Sequence, residues 1–209
     1  IPPFVGLIKN LGIDEKDFIQ KVHGTFKLGI DFPDWSNKGE SYFHPFGSIG
    51  VKFGTHEFFQ AWLRAKANGH ESELQDFSPC NLMAKGEKFF PPQQAKNTPI
   101  SGAGYALHVD ASLVAKYLSD YCKKRGLKRT EGIITEVHND DKGFISHLTL
   151  DDGTEVHGDL FIDCTGFNAL LIEKNQGIEF EDWLDYLPCD RSVFIQTKNN
   201  NQSVPYTIS

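Results

Sequence analysis

The 209 residues carry a net charge of −7 without any cluster of Lys or Arg, which argues against a nucleic-acid surface or an anionic membrane as partner. No window approaches the ~18 apolar residues of a membrane span, and no signal-peptide pattern is present. The four cysteines show no C-x-x-C spacing, so we expect neither a zinc site nor a disulfide framework, and we predict a cytoplasmic protein.

Two short helices are predicted at the start of the chain. Pro2 and Pro3 suit a first helical turn, and the apolar residues that follow recur at helical spacing until Gly12. Asp14 is placed to cap a second helix, which Gly24 ends. Both helices are interpreted as structural.

The next segment is a strand that carries a lysine. Residues 25–32 alternate apolar and polar side chains, the period-2 pattern of a strand with one apolar face. Lys27 projects from the opposite face, and its neighbour there, Gly29, has no side chain. The lysine therefore either lines a channel beside this gap or is solvated on an edge strand.

An aromatic string with one histidine follows, Y-F-H-P-F-G at residues 42–47. Pro45 excludes a central strand because proline cannot donate to a sheet ladder, so His44 and Phe46 belong to an edge strand or a stiff loop. Two residues apart on an extended segment, these side chains point the same way and could hold a flat ring between them. A locally packed aromatic loop is the alternative.

Residues 55–105 predict one helix and a long irregular stretch. Thr55 is expected to cap a packing helix that Gly69 closes. Residues 70–105 lack periodicity and contain several Pro and Gly residues. An irregular stretch of that length favours a functional loop or a lid.

The second half of the chain predicts a helix and a β-meander. Asp110 caps the helix, and Gly126 ends it. Strands are predicted at residues 127–138, 144–150 and 154–157, joined by D-D-K-G and D-D-G turns.

A short apolar run at residues 160–162, which ends in Thr165-Gly166, has the composition of a buried parallel strand. This order of a helix, a meander and a buried strand is that of the second half of a flavin-type dinucleotide-binding domain. The first half of such a domain, with its G-x-G-x-x-G turn, is not in the sequence. The predicted fold class is therefore α/β: a partial FAD-binding domain, glutathione-reductase-like or flavin-monooxygenase-like, with a β-meander and inserted substrate-side helices and loops. We expect an internal portion of a longer protein.

Six motifs occur in one order along nearly the whole chain. They are F-K-L-G-I-D-F at 26–32, Y-F-H-P-F-G at 42–47, H-V-D-A-S-L-V-A at 108–115, D-L-F-I-D-C-T-G-F at 159–167, A-L-L-I at 169–172 and D-Y-L-P-C-D at 185–190. In this set and order the chain resembles the flavin-dependent tryptophan halogenase family. The family's Gly-rich turn, its active-site glutamate and its W-x-W-x-I-P signature have no match here, so the resemblance implies that the 209 residues alone are inactive.

The resemblance implies a halogenase that uses reduced FAD, oxygen and chloride or bromide to make hypohalous acid. Lys27 matches the lysine that receives this oxidant, by hydrogen bonding or as an amine nucleophile, and delivers the halogen to an indole such as tryptophan. Fixing the halogen donor beside one ring carbon selects position by proximity. A desolvated ammonium loses its proton more readily, so both roles of the lysine stay open.

Further residues take roles only by the same resemblance. His44, Pro45 and Phe46 match the segment that packs against the indole ring. Ile133 or Ile134 matches the strand whose backbone meets adenine, and Thr165 and Gly166 match the turn near the flavin nucleotide. No metal site is expected, and His108 receives no role.

The resemblance also implies partners and a division of the chain. A separate flavin reductase supplies reduced FAD without a stable complex, and a homodimer is left open. Residues 1–105 form the substrate and tunnel side, 106–168 the second half of the FAD-binding fold, and 169–209 the start of a substrate-binding region. A flavin-dependent aromatic hydroxylase, indifferent to halide, is the alternative enzyme, and an inactive remnant is the alternative of another class.

Overall fold

The computed structural model describes residues 2–195, 197–198 and 203–209 of a mixed helix and strand protein. The chain divides into two compact units. The first contains Ile1–Gly126 together with Asn199–Ser209, and the second contains Leu127–Lys198. Among the described helices, none combines the length and the hydropathy that crossing a bilayer requires.

The first unit begins with the two predicted helices, α1 (Pro2–Asn10) and α2 (Glu15–Lys21). Asp14 caps α2, because its Oδ1 accepts a hydrogen bond of 2.7 Å from the backbone N–H of Asp17. Phe18 of α2 is completely buried. The prediction of both helices and of the Asp14 cap is confirmed.

The predicted strand at 25–32 is two strands that belong to different sheets. β1 (Thr25–Lys27) pairs antiparallel with β4 (Ala106–His108), whereas β2 (Gly29–Pro33) pairs with β3 (Ser41–Pro45) on one side and β8 (Thr207–Ile208) on the other. Continuous alternation in the sequence did not reveal this change of partners. The order β3-β2-β8 places β3 at an edge of the described sheet, as Pro45 predicted.

The helix predicted after residue 55 exists, but its environment differs from the prediction. α3 (Phe58–Ala67) begins after Glu57, without a side-chain cap, so Thr55 is not its cap. None of its residues is buried, and Phe59 and Leu63 are about half exposed. The helix therefore packs only in part, through Phe58, whose ring centroid lies 4.9 Å from that of Phe77.

The stretch at 70–105 is not an irregular lid. It contains α4 (Pro79–Lys85) and three short 3-10 turns, Leu74–Phe77, Pro92–Gln94 and Pro99–Gly102. Ser78 caps α4 and is buried, as are Cys80 and Ala84 of α4 itself. Each element is too short to show a hydrophobic period, so only packing against the core reveals its order.

The core of the first unit lies where the early helices meet α5 (Ala111–Lys123). Asp110 caps α5 as predicted, with its Oδ1 accepting from the N–H groups of Ser112 and Leu113 at 2.8 and 3.2 Å. The ring of Phe18 meets that of Tyr117 edge to face, with centroids 5.1 Å apart.

The second unit contains the predicted meander. β5 (Ile134–Asn139), β6 (Ile145–Leu150) and β7 (Glu155–His157) pair antiparallel in sequence order. The first strand begins at Ile134, so the prediction of a strand from residue 127 was too long.

The buried parallel strand predicted at 160–162 does not form. No strand pairs with these residues within the described chain, and the side chains of Leu160 and Ile162 are 80% and 78% exposed. An apolar run becomes a central strand only where neighbouring strands accept its backbone hydrogen bonds and cover both faces. That part of the predicted fold is therefore corrected. A π-helical turn, Leu170–Asn175, follows.

Candidate active site around Lys27

Lys27 is the last residue of β1 and lies on the polar face of the β1–β4 ribbon. Thr25 pairs with His108 and Lys27 with Ala106. Directly opposed residues share a face, so Lys27 and His108 lie on one side of the ribbon, and Phe26 and Leu107 lie on the other. Lys27 is half-buried and forms no ion pair with the described residues.

The residue after Lys27 joins three segments. Leu28 is completely buried, and its N–H donates to the Pro205 carbonyl oxygen at 2.7 Å. Its own carbonyl oxygen accepts from the Phe46 N–H at 2.8 Å. These two bonds attach the chain immediately after Lys27 to the aromatic string and to the 203–209 segment.

The aromatic string lies beside the lysine. Lys27 Nζ is 5.9 Å from the centroid of the Phe46 ring, within cation–π range. His44 is exposed on the edge strand β3, where it pairs with Ile30, and Pro45 pairs with Gly29. The structure therefore brings Lys27 and Phe46 together and places His44 and Pro45 immediately before Phe46.

The space beside Gly29 is filled, which corrects the expectation of a side-chain gap there. A Cβ at this position would lie 2.6 Å from Cζ of Phe43 and closer still to the His44 carbonyl oxygen. The Phe43 ring is in turn packed edge-on against Tyr206, with centroids 5.6 Å apart. Gly29 is thus needed for the close approach of β2 and β3.

The other face of the ribbon borders a cavity of about 710 Å³. Phe26 lines it together with Phe89 and Tyr105, and Lys27 is not among the lining residues. The Tyr105 hydroxyl donates to Glu15 at 2.7 Å, and burial, the larger cause, together with this carboxylate raises the pKa of Tyr105 to about 12. A channel lined by Lys27 stays a prediction.

His108 is a site residue to which the sequence assigned no role. Its Nε2 shares a hydrogen bond of 2.8 Å with the Thr207 hydroxyl. Burial, and secondarily the positive charge of Lys27, lower the pKa of His108. The alternation A-L-H at 106–108 is the signal that could have revealed a strand with His108 on one face, but three residues are too few to detect it.

Of the residues expected near adenine, Ile133 has its backbone engaged. Its N–H donates to Asp151 Oδ1 at 3.1 Å, and its carbonyl oxygen accepts from the Asp151 N–H at 2.8 Å. Its side chain is 70% exposed, so an apolar surface is available where β5 begins. Ile134 pairs with Leu150 in the meander.

The turn at 163–172 is held by one carboxylate. Asp163 Oδ1 accepts from the N–H and the hydroxyl of Thr165 at 2.9 and 2.7 Å, and Oδ2 accepts from the N–H groups of Leu171 and Ile172 at 2.8 and 3.1 Å. The hydrogen bond from the Thr165 hydroxyl is the largest cause that lowers the pKa of Asp163, and the backbone N–H bonds lower it further. The Thr165 side chain is thus engaged in the turn. At Gly166, where φ is 66°, a Cβ would meet no atom of the described residues within 4 Å, so this side of the backbone is open to approach.

Comparison with known proteins decides the family. The sequence model described as tryptophan halogenase matches residues 1–209. The chain belongs to the tryptophan halogenase family. Lys27, His44, Pro45 and Phe46 lie in the first unit, and Ile133, Ile134, Thr165 and Gly166 lie in the second.

Solved halogenases are similar to the chain over its whole length. BrvH, a flavin-dependent halogenase from Brevundimonas sp. BAL3, is 36% identical with a TM-score of 0.90, over 100% of this chain and 43% of that one. Xcc4156, a flavin-dependent halogenase from Xanthomonas campestris, is 36% identical with a TM-score of 0.87, over 100% and 41%.

A curated relative is 7-chloro-L-tryptophan 6-halogenase KtzR from Kutzneria sp. (strain 744). It is 30% identical over 210 residues, which cover 89% of this chain and 39% of the relative. The chain therefore spans about two-fifths of the length of the proteins that it resembles.

Proposed function

We propose that the protein containing this chain is a flavin-dependent halogenase that transfers chlorine or bromine to an indole, such as tryptophan. The observation that carries the proposal is the position of Lys27, whose Nζ lies 5.9 Å from the Phe46 ring, in a chain of the tryptophan halogenase family. The aromatic hydroxylase is not favoured, because the family match and the named relatives are halogenases.

Lys27 is the residue proposed to hold the halogen. Reduced FAD, when bound, supplies the electrons with which oxygen and halide give hypohalous acid. Lys27 forms no ion pair with the described residues, so no carboxylate there competes for its N–H groups. The ammonium can donate a hydrogen bond to hypohalous acid. Alternatively, the deprotonated amine attacks the halogen: the N–halogen bond forms as the halogen–oxygen bond breaks, and the hydroxide released takes up the amine proton and leaves as water.

Phe46, with His44 and Pro45 before it, is proposed as the wall against which the substrate ring lies. A ring stacked on Phe46 would be within a few ångströms of a lysine that already reaches the same aromatic face. Solved and curated relatives named for tryptophan chemistry support an indole as the substrate class.

The second unit offers features that fit FAD. The exposed Ile133 side chain can cover a flat ring, and the open Gly166 backbone permits a close approach by a bulky group. Contact with adenine would use the Ile133 or Ile134 side chain, because the Ile133 backbone is bonded to Asp151. Thr165 would act through the turn that it stabilises.

A separate flavin reductase would supply the reduced FAD, and a homodimer is left open. Residues 1–105 would form the substrate and tunnel side, residues 106–168 the second half of the FAD-binding fold, and residues 169–209 the start of a substrate-binding region.

The test is halogenation by the protein expressed from the complete source gene. Wild type, Lys27→Ala and the control Lys142→Ala, an exposed turn lysine, are incubated with reduced FAD, oxygen, bromide and tryptophan or indole. We expect a bromine isotope pair in the mass spectra of wild type and Lys142→Ala, and its loss in Lys27→Ala while flavin oxidation continues.

Other outcomes contradict parts of the proposal. Equal bromination by Lys27→Ala would exclude Lys27 as the halogen carrier. An oxygenated product formed without regard to halide would establish the hydroxylase instead. The 209-residue chain in parallel reactions tests the expectation that it is inactive alone.

A further inference from the structure

The segment at 203–209 is attached to both sheets that form the Lys27 site. In the β3-β2-β8 sheet, Thr207 pairs with Ile30, and the Ser209 N–H donates to the Asp31 carbonyl oxygen at 2.8 Å. The segment also contacts the β1–β4 ribbon, through the hydrogen bond between Thr207 Oγ1 and His108 Nε2. One threonine thus connects the sheet next to Phe46 with the ribbon that carries Lys27.

His108 is the diagonal neighbour of Lys27 on the same face of the ribbon, since Thr25 pairs with His108 and Lys27 with Ala106. Diagonal cross-strand neighbours are within reach of long side chains. A change in the position of His108 would therefore act on the face of the ribbon that carries Lys27, at the opposite end of the three-residue strand β1. The Leu28 backbone bonds hold this junction on one side, and the His108–Thr207 bond holds it on the other.

The charged groups around His108 favour an uncharged imidazole. From β1 the Lys27 ammonium acts on it, and this charge adds to burial in lowering the pKa of His108. Thr207 contributes a hydroxyl without charge. At neutral pH the imidazole is therefore a hydrogen-bonding group that places no second positive charge beside Lys27.

We propose that His108 and Thr207 are positioning residues: their hydrogen bond fixes the β1–β4 ribbon against the β3-β2-β8 sheet and thereby holds the Lys27 ammonium beside Phe46. The importance of this position for halogen transfer rests on the proposed function. The positioning itself does not, because it is a property of the lysine and can be measured without substrate.

The test uses two substitutions in the protein expressed from the complete source gene. Thr207→Val removes the hydroxyl and keeps the β-branched shape, whereas His108→Gln keeps a polar nitrogen near the position of Nε2. His157→Gln, at an exposed histidine of the second unit, is the control. The first readout is brominated product per reduced FAD oxidised. The second is the rate at which a limiting amount of an amine-reactive acetylating reagent modifies Lys27. It is measured by mass spectrometry relative to Lys142, in the absence of flavin and substrate.

We expect Thr207→Val to lower the yield of brominated product per flavin about five- to tenfold, the effect of one lost hydrogen bond. The rate of Lys27 acetylation should rise at least about twofold, because without the His108–Thr207 bond the lysine is no longer held beside Phe46 and is more accessible to the reagent. His108→Gln should lie between wild type and Thr207→Val, and His157→Gln should match wild type. Wild-type values of both readouts in Thr207→Val would overturn the positioning role.

The two proposals fail in different ways. Without brominated product in wild type, the proposed function fails, and the acetylation rates still decide whether the bond holds Lys27. With product in wild type but unchanged acetylation and yield in Thr207→Val, only the positioning role fails. Circular dichroism confirms that each variant is folded.

Discussion

Replacing Gly29 with alanine should destabilise the protein and disturb the Lys27 site. The added Cβ would lie 2.6 Å from Cζ of Phe43 and nearer still to the His44 carbonyl oxygen, separations that real Cβ atoms essentially never show. The oxygen belongs to the paired strand β3, and the Phe43 ring is packed against Tyr206. The backbone oxygen cannot move without shifting β3 from β2. We therefore expect a loss of about 1–3 kcal/mol in the free energy of unfolding, the usual cost of overpacking.

Gly6→Ala is the matched control. Gly6 lies within α1, and a Cβ there would meet nothing within 4 Å. Alanine in an open helical position is expected to stabilise by about 0.5–1 kcal/mol. Urea-induced unfolding should therefore separate the two variants by about 1.5–4 kcal/mol. If Gly29→Ala is as stable as wild type and as active in bromination, the tight approach at Gly29 does not organise this site.

Two other predictions concern the core and the turn. Phe18→Ala should lower the free energy of unfolding by about 3–5 kcal/mol, because Phe18 is completely buried. Phe59→Ala should lower it by only about 0.5–1.5 kcal/mol, because Phe59 is half exposed and its ring stacks on Trp62. Equal losses in urea unfolding would contradict the assigned core. The folded pKa of Asp163 lies below the ordinary 3.8, so its stabilisation is present above about pH 3.8 and is lost as the pH falls through the folded value. Asp163→Asn should therefore be less stable near neutral pH and lose less stability on acidification, and parallel acid profiles for both proteins would exclude this role.

Local signals predicted several elements of the chain. Asp14 and Asp110 were expected to cap helices and do so, because a cap needs only a side-chain oxygen within three residues of the N–H groups that it accepts from. Pro45 placed β3 at an edge for an equally local reason, its missing N–H. Thr55 failed as a cap because the helix begins three residues later.

Two errors arose where the pattern depended on partners far along the chain. Alternation at 25–32 predicted one strand, yet Leu28 bonds to Pro205 and Phe46 and separates two strands. The apolar run at 160–162 predicted a buried strand, yet it has no strand partner in the described chain. Periodicity describes which side chains share a face, but it contains no information on the strand that lies next to it.

The sequence by itself determined the family, through its ordered motifs, and pointed to Lys27 and to the His44–Phe46 string. Only the tertiary structure decided that Lys27 lies beside Phe46, that Phe43 fills the space at Gly29, and that His108 reaches Thr207 from ninety-nine positions away in sequence. The physical reason is that side-chain identity and spacing are local properties of the chain, whereas these contacts depend on which strands pair and on how closely their backbones approach.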